Sequence, residues 1–174
     1  RNAWEGIRSG KQGQPPTYWR EKRTRFFGEL ALTGASWRGS VPLLAGTDAQ
    51  KEQWLPRLAA GEVIGTFALA EGPGRPTPKS LKVALSKGRL RGTKIGVPDG
   101  DVAQLAIVVA KSKVGDKASW YLVDLTQRNV KRSVVSTLDP TRSHASITFR
   151  SADAQLLGAD GEGWALTQKL LDRA

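Results

Sequence analysis

Apolar residues recur at helical spacing in three stretches of the chain. Residues 18–32 (YWREKRTRFFGELAL) place apolar side chains about three to four positions apart, which predicts a helix. Trp54, Leu55 and Leu58 form a similar stripe and predict a second helix. The same period returns over residues 163–174 (GWALTQKLLDRA) and predicts a third. Helices are therefore expected on both sides of the middle of the chain.

The second helix carries recognisable signals for its beginning and its end. Thr47 and Gln50 have the spacing of an N-terminal capping box, in which each side chain bonds the backbone of the other residue. Gly61 follows the last apolar position and is a typical stop. Pro56 comes too late for a first helical turn, so a kink is expected there.

Between the second and third helices the apolar residues alternate with polar ones or form short continuous runs, both typical of strands. Lys87-Gly88 separates two such runs and predicts a tight hairpin turn, with Gly88 at positive φ. Short strands separated by turns predict an α+β fold with an antiparallel β domain between helices, built as a small sheet pair or as a barrel-like domain. The predicted strands cover residues 63–69, 81–86, 89–93, 105–110, 120–125, 130–135 and 145–149.

The same change of pattern predicts three regions of unequal size. A partial helical region comes first, a middle β domain follows, and a further helical domain begins at the end. Their predicted limits are residues 1–60, 61–155 and 156–174. The chain contains no Met, so we expect it to be a piece of a longer protein.

Composition excludes several classes of function. The 174 residues include no Cys, which excludes disulfides, Cys-ligated metals and thiol catalysis, and no metal-ligand spacing is present. The single histidine, His144, has no serine in a nucleophile context near it, so it is expected to be structural or exposed. No apolar run approaches the roughly 18 residues of a membrane span.

Charge is the strongest bias in the composition, with 27 basic and 16 acidic residues and a formal net charge of +11. Between residues 75 and 94 there is no acidic residue at all. This stretch is either a solvated basic face or an edge that binds phosphate. Its basic residues are Arg75, Lys79, Lys82, Lys87, Arg89, Arg91 and Lys94.

Four segments, in order, resemble the acyl-CoA dehydrogenase family, and together they cover about residues 43–174. GTDAQKEQWLPRLAAGEVIGTFALAE resembles the passage from the N-terminal helical domain into the middle β domain. LRGTKIGVPDGDVAQLAIVVAKS resembles the Gly-x-Lys strand and the flavin-facing turn. TLDPTRSHASITF resembles a later strand pair, and LLGADGEGWALTQKLLDRA resembles the start of the C-terminal helices.

This resemblance implies α,β-dehydrogenation of acyl-CoA thioesters in fatty-acid metabolism, with hydride transfer to FAD. It also implies a homo- or hetero-oligomer in a bacterial cytoplasm or a mitochondrial matrix. The positions that match the family's cofactor-binding motifs are Leu69, Ala70, Gly96, Val97 and Pro98. The positions that would bind substrate or phosphate are Arg75, Pro76, Lys79 and Lys82.

The matched motifs are eroded. The family's flavin-bonding Thr falls on Ala70, its phosphate- or CoA-bonding Ser falls on Pro76, and its Trp-Ile-Thr falls on residues 96–98. Side-chain partners are therefore missing at four positions, and backbone groups of Leu69, Ala70 and Val97 are left to bond the ring. At about 0.5–1.5 kcal/mol for each hydrogen bond, the loss is expected to weaken FAD binding by about three or more orders of magnitude, unless the basic stretch compensates.

The family's catalytic Glu is expected beyond the position that matches Ala174. Glu71 matches a structural Glu and Glu162 lies in a glycine-rich turn, so neither is expected to act as the base. The activity itself is therefore left open at this point. The main alternative is a flavin-free relative that acts as a structural or regulatory partner subunit. Nucleic-acid binding is the weakest alternative, because the chain lacks interleaved exposed aromatic residues.

Overall fold

The computed structural model describes residues 45–113, 115–138 and 143–172. The predicted helix over residues 18–32, and most of the predicted first region, lie outside these described residues. A short 3-10 turn at Pro78–Ser80 precedes the second strand. The elements are α1 (Asp48–Ala59), β1 (Gly65–Ala68), β2 (Ala84–Ser86), β3 (Arg89–Pro98), β4 (Leu105–Lys111), β5 (Ala118–Asp124), β6 (Val130–Val135), β7 (His144–Asp153), β8 (Gln155–Leu157) and α2 (Gly163–Leu171).

The strands form one eight-stranded open sheet in the order β6-β7-β3-β2-β4-β5-β8, and β1 pairs with β4. The prediction of a barrel-like domain is therefore wrong, because β6 and β8 lie at opposite ends of the sheet and, among the described residues, do not pair with each other. The prediction of antiparallel pairing holds for most neighbours, but β4 runs parallel to both β1 and β2. The α+β class is confirmed.

The central strands β4 and β5 are buried on both faces of the sheet. Alternate residues of β4, such as Val108, pack with the inner residues of β3 and β7, including Leu90 and Ile147. The residues between them, such as Ile107, lie on the other face with side chains of α1 and α2. Continuous apolar runs in β4 and β5 thus follow from burial on two sides.

Helix α2 approaches the sheet closely at its first residue. A Cβ on Gly163 would lie 2.7 Å from the backbone of Ser119, so only glycine fits there. One turn later the hydroxyl of Thr167 accepts a hydrogen bond from Trp120 Nε1 (2.9 Å) and donates one to the Gly163 carbonyl (2.7 Å). The ring of Trp120 also meets Phe67 edge-on, at 5.8 Å between centroids.

Two local predictions are confirmed. The side chains of Thr47 and Gln50 form a capping box, with bonds of 3.1 and 3.3 Å to each other's backbone N–H. Helix α1 continues through Pro56 and ends before Gly61, whose φ is +71°. The predicted two-residue hairpin turn is confirmed as well: Ser86 pairs with Arg89, and Gly88 has a positive φ of 77°, as does Lys87 at 51°.

The predicted strands are confirmed with shifted limits. β3 and β7 are both longer than predicted, since they pair with each other along almost their whole length. His144 is the first residue of β7, as expected for a residue at a strand start. β8 was not predicted. No helix among the described residues is long and apolar enough to cross a membrane.

Candidate functional site

The two segments that match the family's flavin-binding motifs lie side by side in the structure. Segment 69–71 follows β1, and segment 94–98 ends β3. The amide of Ile95 donates a hydrogen bond to the Ala70 carbonyl at 2.9 Å. The hydroxyl of Thr66 donates one to the Pro98 carbonyl at 2.6 Å. Residues about 25 positions apart in the sequence are thereby brought to one place, which we call the candidate site.

Residues 96–98 were expected to form a turn, and that expectation is wrong. Val97 and Pro98 pair with Ala145 and His144 of β7, so the strand continues to Pro98. The register shifts between Lys94 and Val97, which marks a bulge. Gly96 lies in this bulge with φ +57°, and apart from its chain neighbours no heavy atom of the described residues lies within 4 Å of where its Cβ would be. The family's Trp position is thus open space beside a bulged strand.

Glu71 is the hydrogen-bond centre of the candidate site. Its carboxylate accepts bonds from the amides of Lys82 (2.5 Å) and Val83 (3.2 Å). It also pairs with Lys94, at 2.6 Å from Oε1 to Nζ. These contacts join the end of β1, the segment before β2 and the middle of β3. The structural role implied for Glu71 by the resemblance agrees with this geometry.

Lys94 has no solvent-exposed side-chain surface. Its ammonium donates to the Leu69 carbonyl at 2.9 Å as well as to Glu71. Burial lowers the pKa of Lys94 from 10.5 to about 8, although the hydrogen bond and the charge of Glu71 act in the opposite direction. The group is therefore mainly charged at neutral pH and begins to titrate just above it.

The predicted phosphate-binding residues lie on the loop that joins segment 69–71 to β2. Arg75, Lys79 and Lys82 are exposed and Pro76 is half-buried. Within the described residues, none of the three cations forms an ion pair. The loop is braced by its 3-10 turn, whose capping box is formed by Thr77 and Ser80, 2.9 Å from Ser80 Oγ to the Thr77 amide.

The basic stretch 75–94 is not one continuous edge. Strand alternation sends Arg89 and Arg91 to the exposed side of β3 and Lys94 to the interior. Arg89 is also paired with Asp153 at 3.5 Å. Lys94 must therefore be removed from the predicted phosphate-binding set, because a fully buried ammonium cannot reach a ligand on the surface.

The acids near the candidate site do not resemble a catalytic base. The Glu71 carboxylate is occupied by one ammonium and two amides. Glu162 is exposed at the beginning of α2 and caps no backbone group with its side chain. In the described residues no group of three or more His, Asp or Glu side chains is arranged to hold a metal.

Sequence reasoning placed Leu69, Ala70 and residues 96–98 together but missed the residues that hold them. Thr66 and Ile95 were not singled out, and Lys94 was assigned to the wrong surface. The burial of Lys94 could have been predicted from the sequence, because Lys94 lies an even number of positions after the buried Leu90 in the same strand. Period two predicts an inward side chain at both positions.

Comparison with known proteins gives a consistent result, although no family model matches the chain. The mitochondrial very long-chain specific acyl-CoA dehydrogenase of Bos taurus is 41% identical over 83 residues, which cover 44% of this chain and 13% of that protein. Butyryl-CoA dehydrogenase from Megasphaera elsdenii has a TM-score of 0.71 at 22% identity, over 88% of this chain and 44% of that one. The chain belongs to the acyl-CoA dehydrogenase family.

A second structural neighbour shows the same fold. It is a glutaryl-CoA dehydrogenase from Mycobacterium smegmatis in complex with FADH2, with a TM-score of 0.66 at 24% identity, over 78% of this chain and 36% of that one. This chain therefore spans less than half the length of each acyl-CoA dehydrogenase compared. The activity, substrates and partners of a whole protein are accordingly matters of proposal.

Proposed function

We propose that this chain provides the flavin-facing β domain of an FAD-dependent acyl-CoA dehydrogenase. One observation carries the proposal: the two segments that match the family's flavin motifs meet through the Ile95–Ala70 hydrogen bond of 2.9 Å. The family relationship and the neighbour in complex with FADH2 support it. Bound FAD would accept a hydride from an acyl-CoA thioester, and the protein's task here is to bind and orient the ring.

The binding would rely on the backbone. The carbonyls of Leu69 and Ala70 already accept bonds from Lys94 and Ile95. The amide N–H groups of segment 69–71 are then the backbone donors to which a flavin ring would bind. Val97 pairs with Ala145 of β7, so its amide belongs to the strand ladder instead. Gly96 would allow the ring to approach the bulged strand closely, because no side chain intervenes.

The phosphates are assigned to the loop after segment 69–71. Arg75, Lys79 and Lys82 are exposed cations with no ion pair within the described residues. A pyrophosphate or the CoA chain would therefore meet free positive charge beside Pro76. Attraction of this kind is strong at low ionic strength and is screened by salt.

The proposal also includes the surroundings of this domain. Residues 61–155 form the middle domain, residues 156–174 begin a helical domain, and the catalytic base is neither Glu71 nor Glu162. The acyl-CoA thioester is the substrate, and the assembly is a homo- or hetero-oligomer in a bacterial cytoplasm or a mitochondrial matrix.

The test is an absorbance titration of the purified protein with FAD, followed by removal of unbound flavin. Retained flavin bands near one equivalent support the proposal. Ala70→Thr restores the hydroxyl of the family motif, and should tighten binding by about 2- to 10-fold if that hydroxyl bonds the ring. Ala159→Thr, at an exposed position in the turn before α2, is the matched control. Identical affinity in both variants would place the flavin elsewhere.

A second candidate is a flavin-free partner subunit, and the geometry of residue 96 favours it. Where the family has an aromatic residue, Gly96 leaves space that no described residue other than its chain neighbours fills within 4 Å of the Cβ position. Pro98 has no N–H, and its carbonyl is taken by Thr66. This candidate predicts no retained flavin in the wild type, together with stable association with a second, flavin-containing subunit.

Anaerobic addition of acyl-CoA esters of several chain lengths separates binding from catalysis. The 174-residue chain loaded with FAD should not bleach within seconds, because Glu71 is held by three donors and cannot serve as the base. Rapid bleaching that is abolished by Glu71→Gln would show that the base has been misassigned.

A further inference from the structure

Lys94 is the one charged side chain that is fully buried among the residues described. It donates to the Leu69 carbonyl at 2.9 Å and to Glu71 at 2.6 Å. Burial of an ammonium is unfavourable unless it is paired and hydrogen-bonded. Both of its identified partners belong to segment 69–71, so this segment is what compensates the buried charge.

The ammonium also acts at a distance through Glu71. The same carboxylate accepts hydrogen bonds from the amides of Lys82 and Val83. These two residues end the loop that joins segment 69–71 to β2, which we call the phosphate-side loop. The direction of the loop that carries Arg75 and Lys79 is thereby tied to β3. One side chain thus connects the end of β1, the end of this loop and β3.

Lys94 is also the last residue before the bulge. Its neighbour Ile95 donates to the Ala70 carbonyl, and the register with β7 resumes only at Val97. The separation between segment 69–71 and the bulge is therefore held by two adjacent residues of β3. Because Lys94 is 0% exposed, it cannot touch a ligand itself.

We propose that Lys94 is the positioning residue of the candidate site: by holding the Leu69 carbonyl and the Glu71 carboxylate, its ammonium sets how segment 69–71 and the Gly96 bulge face a bound flavin. The inference rests on the proposed function for its ligand. It goes beyond that function because it assigns a role to a residue that contacts neither flavin nor substrate.

The positioning should depend on the charge of Lys94. Glu71 is the charged group that pairs with it in the described part of the chain. The pKa of Lys94 is lowered to about 8 by burial. Raising the pH through this value removes the charge that holds Glu71, so flavin affinity should fall on the alkaline side.

The experiment compares the wild type with Lys94→Met, Glu71→Gln and the exposed control Lys131→Met. FAD affinity is measured by flavin fluorescence between about pH 7 and about pH 9, below the range in which exposed Lys and Tyr titrate. The wild type and Lys131→Met should lose about tenfold in affinity across this range. Lys94→Met and Glu71→Gln should bind at least about tenfold more weakly at pH 7, with no alkaline loss.

Hydrogen exchange of the flavin-free proteins provides a readout that does not need the ligand. In Lys94→Met the amides of Ile95, Lys82 and Val83 should exchange at least about tenfold faster, while amides of β4 and β5 keep their protection. Uniform acceleration across the sheet would mean a purely structural role and would overturn the inference. Unchanged exchange at these three amides would overturn it as well.

The outcomes separate this inference from the proposed function. If the wild type binds no FAD, the proposed function fails, and local exchange in Lys94→Met still decides whether Lys94 positions the segments. If FAD binds and a folded Lys94→Met keeps wild-type affinity and pH dependence, the inference fails alone. If Lys94→Met does not fold, Glu71→Gln, which retains an acceptor oxygen, takes its place in both measurements.

Discussion

Two carboxylates hold the polar junctions of this domain, and they do so in different ways. Glu71 binds a buried ammonium and two backbone amides. Asp160, before α2, accepts hydrogen bonds from the hydroxyls of Ser112, at 2.7 Å, and Ser119. Ser119 in turn accepts from the amide of Gly161 at 2.7 Å. The first junction is an ion pair, whereas the second consists of neutral donors around one charge.

The pKa values reflect this difference. Burial lowers the pKa of Lys94 to about 8 in spite of Glu71, so the ion pair does not fully offset the desolvation of the ammonium. The Ser119 hydroxyl, followed by the Ser112 hydroxyl, holds the pKa of Asp160 below its ordinary 3.8. The first junction is therefore sensitive to alkali and the second only to strong acid.

The surroundings of the two carboxylates explain why one junction is an ion pair and the other is a set of neutral hydrogen bonds. Near Asp160, α2 and β5 are already packed through Gly163 and Trp120, and the carboxylate adds to a contact that exists without it. Near Glu71, the segments on either side of the phosphate-side loop lie outside the strands, and few ladder bonds hold them. The ion pair thus sets the geometry of the candidate site, while the Asp160 junction only completes a helix contact.

The largest expected effect comes from removing each carboxylate in turn. Glu71→Ala leaves a buried ammonium unpaired and should lower the free energy of unfolding by about 3–5 kcal/mol. Asp160→Ala loses two hydroxyl bonds and should lower it by about 1–3 kcal/mol. Urea unfolding measures both. The exposed Glu62→Ala, which breaks only a 4.0 Å contact with Arg57, is the control. An equal loss for both junctions would refute the comparison.

Gly163→Ala tests whether backbone packing supports the Asp160 junction. The new Cβ would meet the Ser119 backbone at 2.7 Å, so α2 must move and about 1–3 kcal/mol should be lost. Gly72→Ala, where the new Cβ would meet no described residue beyond its chain neighbours within 4 Å, is the matched control. The effect of Gly163→Ala should be non-additive with Asp160→Ala and additive with Glu71→Ala. Additivity with both would show that packing and carboxylate act separately.

Alkaline pH should stabilise the wild type relative to Lys94→Met. The folded pKa of Lys94, about 8, lies below its ordinary 10.5, so the unfolded chain binds more protons in this window. The unfolding free energy of the wild type should therefore rise by about 1–3 kcal/mol relative to the variant between these two pH values. Denaturant unfolding at several pH values checks the sign. A relative fall would mean that Glu71 stabilises the ammonium more than burial destabilises it.

Acid should reduce the stabilisation that the Asp160 junction contributes. The folded pKa of Asp160 is depressed, so its contribution is present above 3.8 and is lost as the pH falls through the folded pKa. At neutral pH the wild type should exceed Asp160→Asn by about 1 kcal/mol, and the difference should vanish in strong acid. Thermal unfolding of both proteins across the acid range is the measurement, and a difference independent of pH would rule out the charge as its cause.

The smallest effect is expected at the exposed loop. Changing Arg75 and Lys79 together to Ala should weaken binding of FAD or a CoA ester by about 2- to 10-fold at low salt, and less at high salt. Lys87→Ala combined with Lys131→Ala removes the same charge elsewhere on the domain and is the control. If the two double variants bind with equal affinity at low ionic strength, the loop is an ordinary solvated surface and does not bind phosphate.

Much of the fold was predictable because its signals are local. The capping box of Thr47 and Gln50 spans three residues, and the Lys87-Gly88 turn spans two. The apolar runs of β4 and β5 are continuous because both of their faces are buried, and this burial is visible in the residue types alone. Likewise, the eroded motif at Ala70 and Gly96 could be identified without coordinates, because it is a matter of which side chains are absent.

The remaining features depend on contacts between residues far apart in the sequence, so only the tertiary structure decided them. Period two gives the length of a strand but not the direction of its neighbours, so the parallel pairing of β4 and the open edges at β6 and β8 were not predictable. Residues 96–98 looked like a turn until pairing with β7 extended the strand through a bulge. Lys94 looked like part of a basic surface, and only its contacts with Leu69 and Glu71 make a buried ammonium tolerable there.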